Sequence, residues 1–246
     1  MRSRNKLTAL FATAVVVAAA FLTAGYSTVT ATQPAAASAA RPVDLNSILI
    51  PPNEHPAGSV VFTQTTLKKA AAQVLPGTGE PSGVVVMPRC MSYFAVLGGL
   101  DKLEGAYQFG ARADGTIFVH FVAKVSGGDA VELIKLRIGA CHEGLMTFQG
   151  WPPSATNGAR KTDGVLTFPE RPAQALPGAK TYAVNQVVTF KRPSDPVVKS
   201  IRQAWACPDR PCASPITFVE RNGLLIWVLD AQADQMAKTL YERSRA

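Results

Sequence analysis

The sequence predicts an α+β domain in which helices pack on an antiparallel sheet of about five to six strands. Two turns, at Asp114-Gly115 and Asn222-Gly223, lie between apolar, β-branched runs, which is the pattern of a β-hairpin. Segments between such runs place apolar residues at helical spacing. The run 116–125 is apolar on both of its faces, so we expect a central strand that is covered on both sides.

The first elements of the domain are two helices on either side of a short strand. Asp44 caps an amphipathic segment over residues 44–50, which two prolines then stop. The β-branched and aromatic content of 59–64 predicts a strand, and the apolar spacing over 67–75 predicts the second helix. Pro88 occupies a first-turn position and starts a third helix.

The middle of the domain predicts a hairpin followed by a helix. Strands over 106–112 and 116–125 flank the Asp-Gly turn. Asp129 and Glu132 have the spacing of a capping box, so we expect a helix to begin there. Its apolar stripe ends at Cys141.

The last part of the domain predicts loops, two further strands, a hairpin and a terminal helix. Residues 151–163 and 192–215 are rich in proline and polar residues and are expected to be loops. Asp230 is expected to cap the final helix, whose apolar stripe reaches Tyr241. The strands expected here are 165–168, 182–190, 216–220 and 224–229.

The N-terminal residues 1–39 have the three-part build of a secretory signal peptide. A basic start is followed by an apolar run from Leu7 to about Gly25, and Ala37-Ser38-Ala39 has the small-x-small pattern of a cleavage site. The run is just long enough for an uncleaved membrane anchor, but the small residues favour cleavage. We expect residues 40–246 to form one secreted or envelope domain without a membrane span.

The charge of the chain excludes one class of partner. The full sequence carries a formal net charge of +8, and without residues 1–39 it has 22 basic against 17 acidic residues. This mild excess favours a solvated surface, or contact with an anionic envelope surface. Basic residues do not cluster with interleaved aromatics, so we expect no nucleic-acid partner.

Four cysteines predict two disulfides, because an even number in an oxidising compartment is normally paired. Cys207 and Cys212 close a short loop of their own, which leaves Cys90 to pair with Cys141. The alternatives are a zinc site or a reactive thiol. The Cys-x4-Cys spacing without a nearby histidine is poor for zinc, and His142 points away from its neighbour in any regular element. We expect no metal site.

Candidate catalytic residues are few, and each has a structural explanation. The three histidines, at 55, 120 and 142, have no partner at ligand spacing, and His120 is expected to be a core-edge residue with one hydrogen bond. The carboxylates Asp101 and Glu104 are explained by exposed faces or helix caps. The sequence contains no nucleophile motif of a hydrolase. We therefore expect no catalytic residue, no cofactor and no enzyme activity.

Aromatic residues in loops are the stronger binding candidates. Trp151 and Trp205 lie in proline-rich loops, where a large ring either covers the core edge or contacts a ligand. Arg160 and Arg171 would give a cleft near Trp151 a positive rim. Trp227 belongs to a strand and is expected in the core.

Three short motifs resemble the PknH-like extracellular sensor family of actinobacteria. They are LIPPNEHPAG over 49–58, VMPRC over 86–90 and LPGA over 176–179. The resemblance spans most of residues 44–245. It implies an antiparallel sheet packed with helices, a cleft between them, disulfides in place of a large core, and no enzyme.

Members of that family lie outside the membrane, some joined to a kinase by a membrane helix and others free or lipid-anchored. This sequence shows no second membrane segment, no kinase domain and no lipid-attachment cysteine. The first hypothesis is therefore an exported, non-enzymatic binding module for an envelope lipid, a glycan fragment or a protein partner. A cell-envelope hydrolase using carboxylates or His120 is the second, and a structural envelope protein is the third.

Overall fold

The computed structural model describes residues 44–74, 83–86, 93–141, 144–149, 161–204, 207 and 211–245. Within them, nine strands form one sheet with five α-helices beside it. The strands are β1 (Val60–Thr66), β2 (Gly83–Val86), β3 (Gly105–Ala111), β4 (Ile117–Lys124), β5 (Gly144–Gln149), β6 (Lys161–Thr167), β7 (Lys180–Phe190), β8 (Cys212–Arg221) and β9 (Leu224–Leu229). The helices are α1 (Leu45–Ile48), α2 (Leu67–Val74), α3 (Ala130–Gly139), α4 (Pro196–Ala204) and α5 (Ala233–Arg243).

The sheet is antiparallel throughout, in the order β1-β3-β4-β9-β8-β7-β6-β5-β2. The α+β class is confirmed, but the expected count of five to six strands was too low. β5 carried no recognised strand pattern, and β6 begins within the expected loop 151–163. These strands form because β5 pairs with β6 and with β2, although their own residues do not show a clear strand pattern.

Helices cover both faces of the sheet. On one face, α2, α3 and α4 contribute side chains to the same buried apolar cluster as Val119, Phe121 and Ala123 of β4. On the other face, α1 and α5 share a second buried cluster with Val122 of the same strand, and α5 packs mainly on β8 and β9. The inner six residues of β4 are all buried, which confirms the central, doubly covered strand.

A row of aromatic side chains crosses the sheet on the α3 side. Five residues lie directly opposite one another on adjacent strands, and the rings of Phe121 and Trp227 stack with centroids 5.2 Å apart. Phe94 packs edge-on against both rings. Such pairs add stability beyond the area they bury. The row consists of Tyr107, Phe121, Trp227, Phe218 and Tyr182.

One of the two predicted disulfides is confirmed. Cys207 and Cys212 are bonded, with their Cα atoms 5.2 Å apart. Cys141 is also disulfide-bonded. Its predicted partner, Cys90, lies outside the described residues, so that pairing stays a prediction.

Several turn and cap predictions are confirmed, and one is wrong. Asp44 accepts the amide of Asn46 at the start of α1, and Asn222 adopts the positive φ of an Asn-Gly hairpin turn. Asp129, however, makes no side-chain cap for α3 and instead accepts Lys180 Nζ at 2.7 Å. The buried Glu220 of β8 accepts the helix amide of Val131 at 3.0 Å. A long-range carboxylate thus replaces the local one.

Two further expectations for the C-terminal part need correction. The expected loop 192–215 contains α4, whose first residue is Pro196, and the first residues of β8. Asp230 accepts the amide of Gln232 just before α5, but most of its hydrogen bonds go elsewhere. No helix among the described residues is long and apolar enough to cross a membrane.

Replacing Gly110 with Ala is expected to lower the free energy of unfolding by about 1 to 3 kcal/mol. A Cβ at this position would overlap the ring of Phe118 and the carbonyl oxygen of Val60. Edge strand β1 would have to shift away from β3. Urea denaturation of the purified domain measures the change.

Gly139→Ala is the matched control, because its Cβ would meet no atom within 4 Å. That variant should keep or slightly raise the stability, by at most about 1 kcal/mol, since Ala is a better helix former. Equal losses in the two variants would contradict the crowding at Gly110.

Candidate functional site

A groove lies where the start of α5 meets the end of the sheet. Its volume is about 500 Å³. The hairpin β8–β9 brings the turn before α5 back over the sheet, and the β6–β7 connection brings Arg171 to the same place. The lining residues are Arg171, Pro215, Ala231, Gln232, Ala233, Asp234 and Gln235.

Arg171 is held in place from its backbone and from its side chain. Its amide donates to Ala183 O of β7 at 3.0 Å. Its guanidinium donates from Nη1 to Asp234 Oδ2 at 2.5 Å and from Nη2 to Thr217 Oγ1 at 2.6 Å. Thr217 in turn donates to Asp234 Oδ1 at 2.7 Å, so the three side chains close a ring of hydrogen bonds.

This ring of hydrogen bonds keeps the carboxyl group of Asp234 in the groove ionised. Burial by itself would raise the pKa of Asp234, but the hydrogen bonds from Arg171 and Thr217 hold that pKa below its usual 3.8. The carboxylate is therefore ionised at neutral pH and balances the charge of the guanidinium. The remaining polar lining consists of the exposed amides of Gln232 and Gln235.

A second polar cluster is buried inside the domain, next to the groove. Asp230 has no exposed surface, and Arg112 donates to both of its carboxylate oxygens at 2.6 Å. His120 Nε2 lies 3.1 Å from Asp230 Oδ2, and the amide of Gln232 donates to Oδ1 at 2.7 Å. Gln232 lines the groove, so one turn of chain connects the two clusters.

The hydrogen bonds keep Asp230 ionised. Burial would raise the pKa of its carboxyl, but hydrogen bonding and charge from His120, with Gln232 and Arg112, lower that pKa below 3.8. A bidentate arginine on a fully buried carboxylate is a strong, directional pair. The cluster is therefore an ion pair inside the fold.

His55 joins this cluster from the loop between α1 and β1. Its ring stacks on Phe118 with centroids 4.7 Å apart and lies 5.9 Å from the ring of His120. His55 Nε2 lies 3.0 Å from Gln108 Oε1. Gln108 Nε2 donates to Ile50 O at 2.7 Å and to Gln64 at 3.2 Å.

The residues predicted from sequence are only partly brought together. Arg171 lines the groove, whereas Trp151, Arg160 and Trp205 lie outside the described residues. Trp227 is in the core, 3% exposed. His120 makes one hydrogen bond as expected, but it is fully buried in a central strand instead of at the core edge.

Sequence reasoning missed Thr217, Asp230 and Asp234 as site residues. Each is an ordinary strand or helix-start residue in the sequence, and its partners are distant along the chain. A carboxylate directly after an apolar strand, as Asp230 follows β9, is a signal that could have marked it. Its partners could not have been named from that signal.

Comparisons with known proteins leave the family open. No family model matches the chain, and no curated protein matches it. Among solved structures, it is similar to an uncharacterized protein of Mycobacterium smegmatis, an ortholog of Rv0999, with 12% sequence identity and a TM-score of 0.40. The match covers 82% of this chain and 97% of that chain. The fold therefore defines only a broad class, an α+β protein with helices on both faces of an antiparallel sheet. Membership of the PknH-like sensor family stays a prediction.

Proposed function

We propose that this chain is an exported, non-enzymatic binding module whose ligand occupies the groove beside Arg171. The observation that carries the proposal is the fixed guanidinium at the groove wall, held by Asp234, Thr217 and Ile216 O. Groups that are already ordered lose little entropy when a ligand binds. The groove therefore offers a preorganised polar wall.

The lining favours an uncharged, hydroxyl-rich ligand, such as a glycan fragment of the cell envelope. Arg171 and Asp234 neutralise each other, so the wall offers donors and acceptors without a net charge. The amides of Gln232 and Gln235 add both kinds of group, while Pro215 gives an apolar surface for a sugar face. An acyl chain would cover the amides of Gln232 and Gln235 without offering them a hydrogen bond.

The hydrolase alternative is weakened by the burial of its best candidates. His120 and Asp230 have the hydrogen bond of an acid–base pair, at 3.1 Å. Both side chains are 0% exposed, so a substrate cannot reach either of them in this conformation. A general acid or base must lie within hydrogen-bond reach of the reacting group.

The extracytoplasmic location rests on the signal-like residues 1–39 and on the Cys207–Cys212 disulfide. Disulfides persist in oxidising compartments, with which this bond is consistent. We further propose that Cys90 bonds to Cys141. The resemblance of residues 49–58 to the PknH-like sensor domains supports the same reading.

Native mass spectrometry of the protein purified from its own host's envelope tests the proposal. We expect a noncovalent adduct with the mass of an oligosaccharide, which is absent from the denatured spectrum. Gln235→Trp, which fills the groove with a large side chain, should reduce the occupancy of the adduct at least tenfold.

Gln203→Trp on the exposed face of α4 is the matched control and should keep the adduct. A bare wild-type protein would contradict a small ligand and favour a protein partner or the structural hypothesis. A lipid mass would contradict the glycan class, and an adduct kept by Gln235→Trp would contradict the groove as its site.

A further inference from the structure

The loop over residues 51–58, between α1 and β1, has one buried side chain. His55 is 8% exposed, whereas the other residues of the loop are half-buried or exposed. The backbone bonds Glu54 N to Pro51 O and Ser59 N to Pro56 O stay local to the loop and its junction with β1. The imidazole of His55 is therefore the loop's main attachment to the sheet.

The hydrogen bonds of Gln108 determine where the proton of His55 lies. Gln108 Nε2 already donates to Ile50 O and to Gln64 Oε1, so the side-chain oxygen of Gln108 faces His55. That oxygen can only accept, which places the proton of the neutral ring on Nε2. Nδ1 is then a bare acceptor, and it is buried without a partner.

A second proton on His55 would be unfavourable while the ring is buried. It would place a donor on Nδ1, which has no acceptor, and a positive charge beside Arg112 and His120. Two cations in one poorly hydrated cluster repel each other, and burial disfavours each of them. The carboxylate of Asp230 is already taken by Arg112 and His120.

In the part of the chain that the structure describes, no other element places a compensating negative charge against His55. The side chain that bonds to His55 is Gln108 of β3, which in turn donates to Gln64 of β1, and both glutamines are neutral. Glu54, in the same loop, points to Arg243 of α5, 3.1 Å away, and its side chain is 51% exposed. Within the described residues, the titratable or charged groups that face His55 are thus Arg112 and His120, with Asp230 behind them.

We propose that His55 is a pH-sensitive latch, which holds the loop 51–58 on the sheet while its ring is neutral and releases the loop when the ring is protonated. The released ring reaches water, where its charge is solvated. Helix α1 keeps its apolar contacts with α5, so the opening is confined to the loop. This inference does not depend on the groove or on its ligand.

The direction of the pH effect follows from the folded and released states. Burial, with the charges of His120 and Arg112, lowers the pKa of His55 below 6.5 in the closed loop, although Gln108 and the backbone of Ile50 act in the opposite direction. The released ring has the ordinary pKa near 6.5. The free energy that favours the closed loop over the released loop is therefore greatest above pH 6.5, and it decreases as the pH falls below that value. The pKa of Asp230, the carboxyl behind His120 and Arg112, is held below 3.8, so this group stays ionised over the same pH range.

Hydrogen–deuterium exchange of the full domain between pH 7.5 and 4.5, corrected for the intrinsic rates, tests the latch. The amides of Glu54 and Ser59 should lose protection by up to about tenfold per pH unit below 6.5, while β7 and β8 stay protected. His55→Gln keeps a donor toward Gln108 without a titrating ring, and should abolish this dependence. His142→Gln is the control and should retain it.

Protection that stays constant down to pH 4.5 in the wild type would overturn the proposal. So would the same loss in His55→Gln as in the wild type. If His55→Gln does not fold, the wild-type profile decides together with an NMR titration of the histidine ring signals. A ring of His55 that titrates at or above pH 6.5 would also overturn the latch.

Discussion

Replacing Asp230 with Asn is expected to lower the free energy of unfolding by about 3 to 5 kcal/mol, because it leaves a buried guanidinium without its counter-ion. The side chain of Arg112 is 8% exposed and that of Asp230 is 0% exposed. An Asn side chain keeps one acceptor oxygen for Arg112, but it carries no charge and replaces the other oxygen with an NH2 donor. Urea denaturation at pH 7, followed by circular dichroism, measures the loss.

The matched control for that substitution is Asp129→Asn. Asp129 also pairs with a basic residue, Lys180, at 2.7 Å, but its side chain is 66% exposed. Exposed pairs contribute about 0 to 1 kcal/mol, so this variant should unfold within that margin of the wild type. If Asp230→Asn also lowered the free energy of unfolding by no more than about 1 kcal/mol, water would have to reach Arg112 and Asp230, and the cluster would not be a buried ion pair.

Replacing Phe121 with Ala is expected to lower the free energy of unfolding by about 3 to 5 kcal/mol. The ring is 1% exposed, stacks on Trp227 and meets the edge of Phe94. Its removal opens a cavity in the middle of the aromatic row, where the neighbouring strands are fixed by their own pairing. The same urea experiment gives the value.

Leu136→Ala serves as the comparison, since that side chain of α3 is 69% exposed. Removing it should change the stability by no more than about 0.5 kcal/mol. If Phe121→Ala were equally mild, the row would have to collapse onto the cavity, and the rigid packing described for it would be wrong.

Local patterns predicted the elements whose formation depends on near neighbours. Asn222 and Gly223 both adopt positive φ, as their hairpin turn requires, and Asp114 accepts the amide of Thr116 in the other turn. The apolar stripe of α5 is buried where the spacing placed it. In each case the information lies within a few residues.

The helix α4 was missed because a proline can either interrupt a helix or begin one. Pro196 was counted among the residues that break regular structure, yet it starts the helix, where a proline loses no hydrogen bond. The strand β5 was missed for a different reason. Its stability comes from β2 and β6, which pair with it on either side.

The polar clusters were beyond local reasoning altogether. Asp230 meets Arg112 and His120 across 118 and 110 residues of chain, and His55 meets Gln108 across 53. Composition shows three histidines and 17 acidic residues, but not which of them the sheet brings together. Arg171 was predicted from its position near a loop tryptophan, and its actual partners, Thr217 and Asp234, come from β8 and α5.

The order of the strands also determines when the domain can be completed. β4 forms a hairpin with β3 early in the chain, but its other neighbour is β9, and one of its faces is covered by α5. In a chain that emerges from its N-terminus, the apolar edge of β4 therefore stays open until residues 224–243 have followed. Contacts between such distant segments form slowly, because a long loop must close first. A nascent chain of this protein therefore exposes an unpaired strand edge, the kind of surface that pairs with other chains, until its last strand arrives.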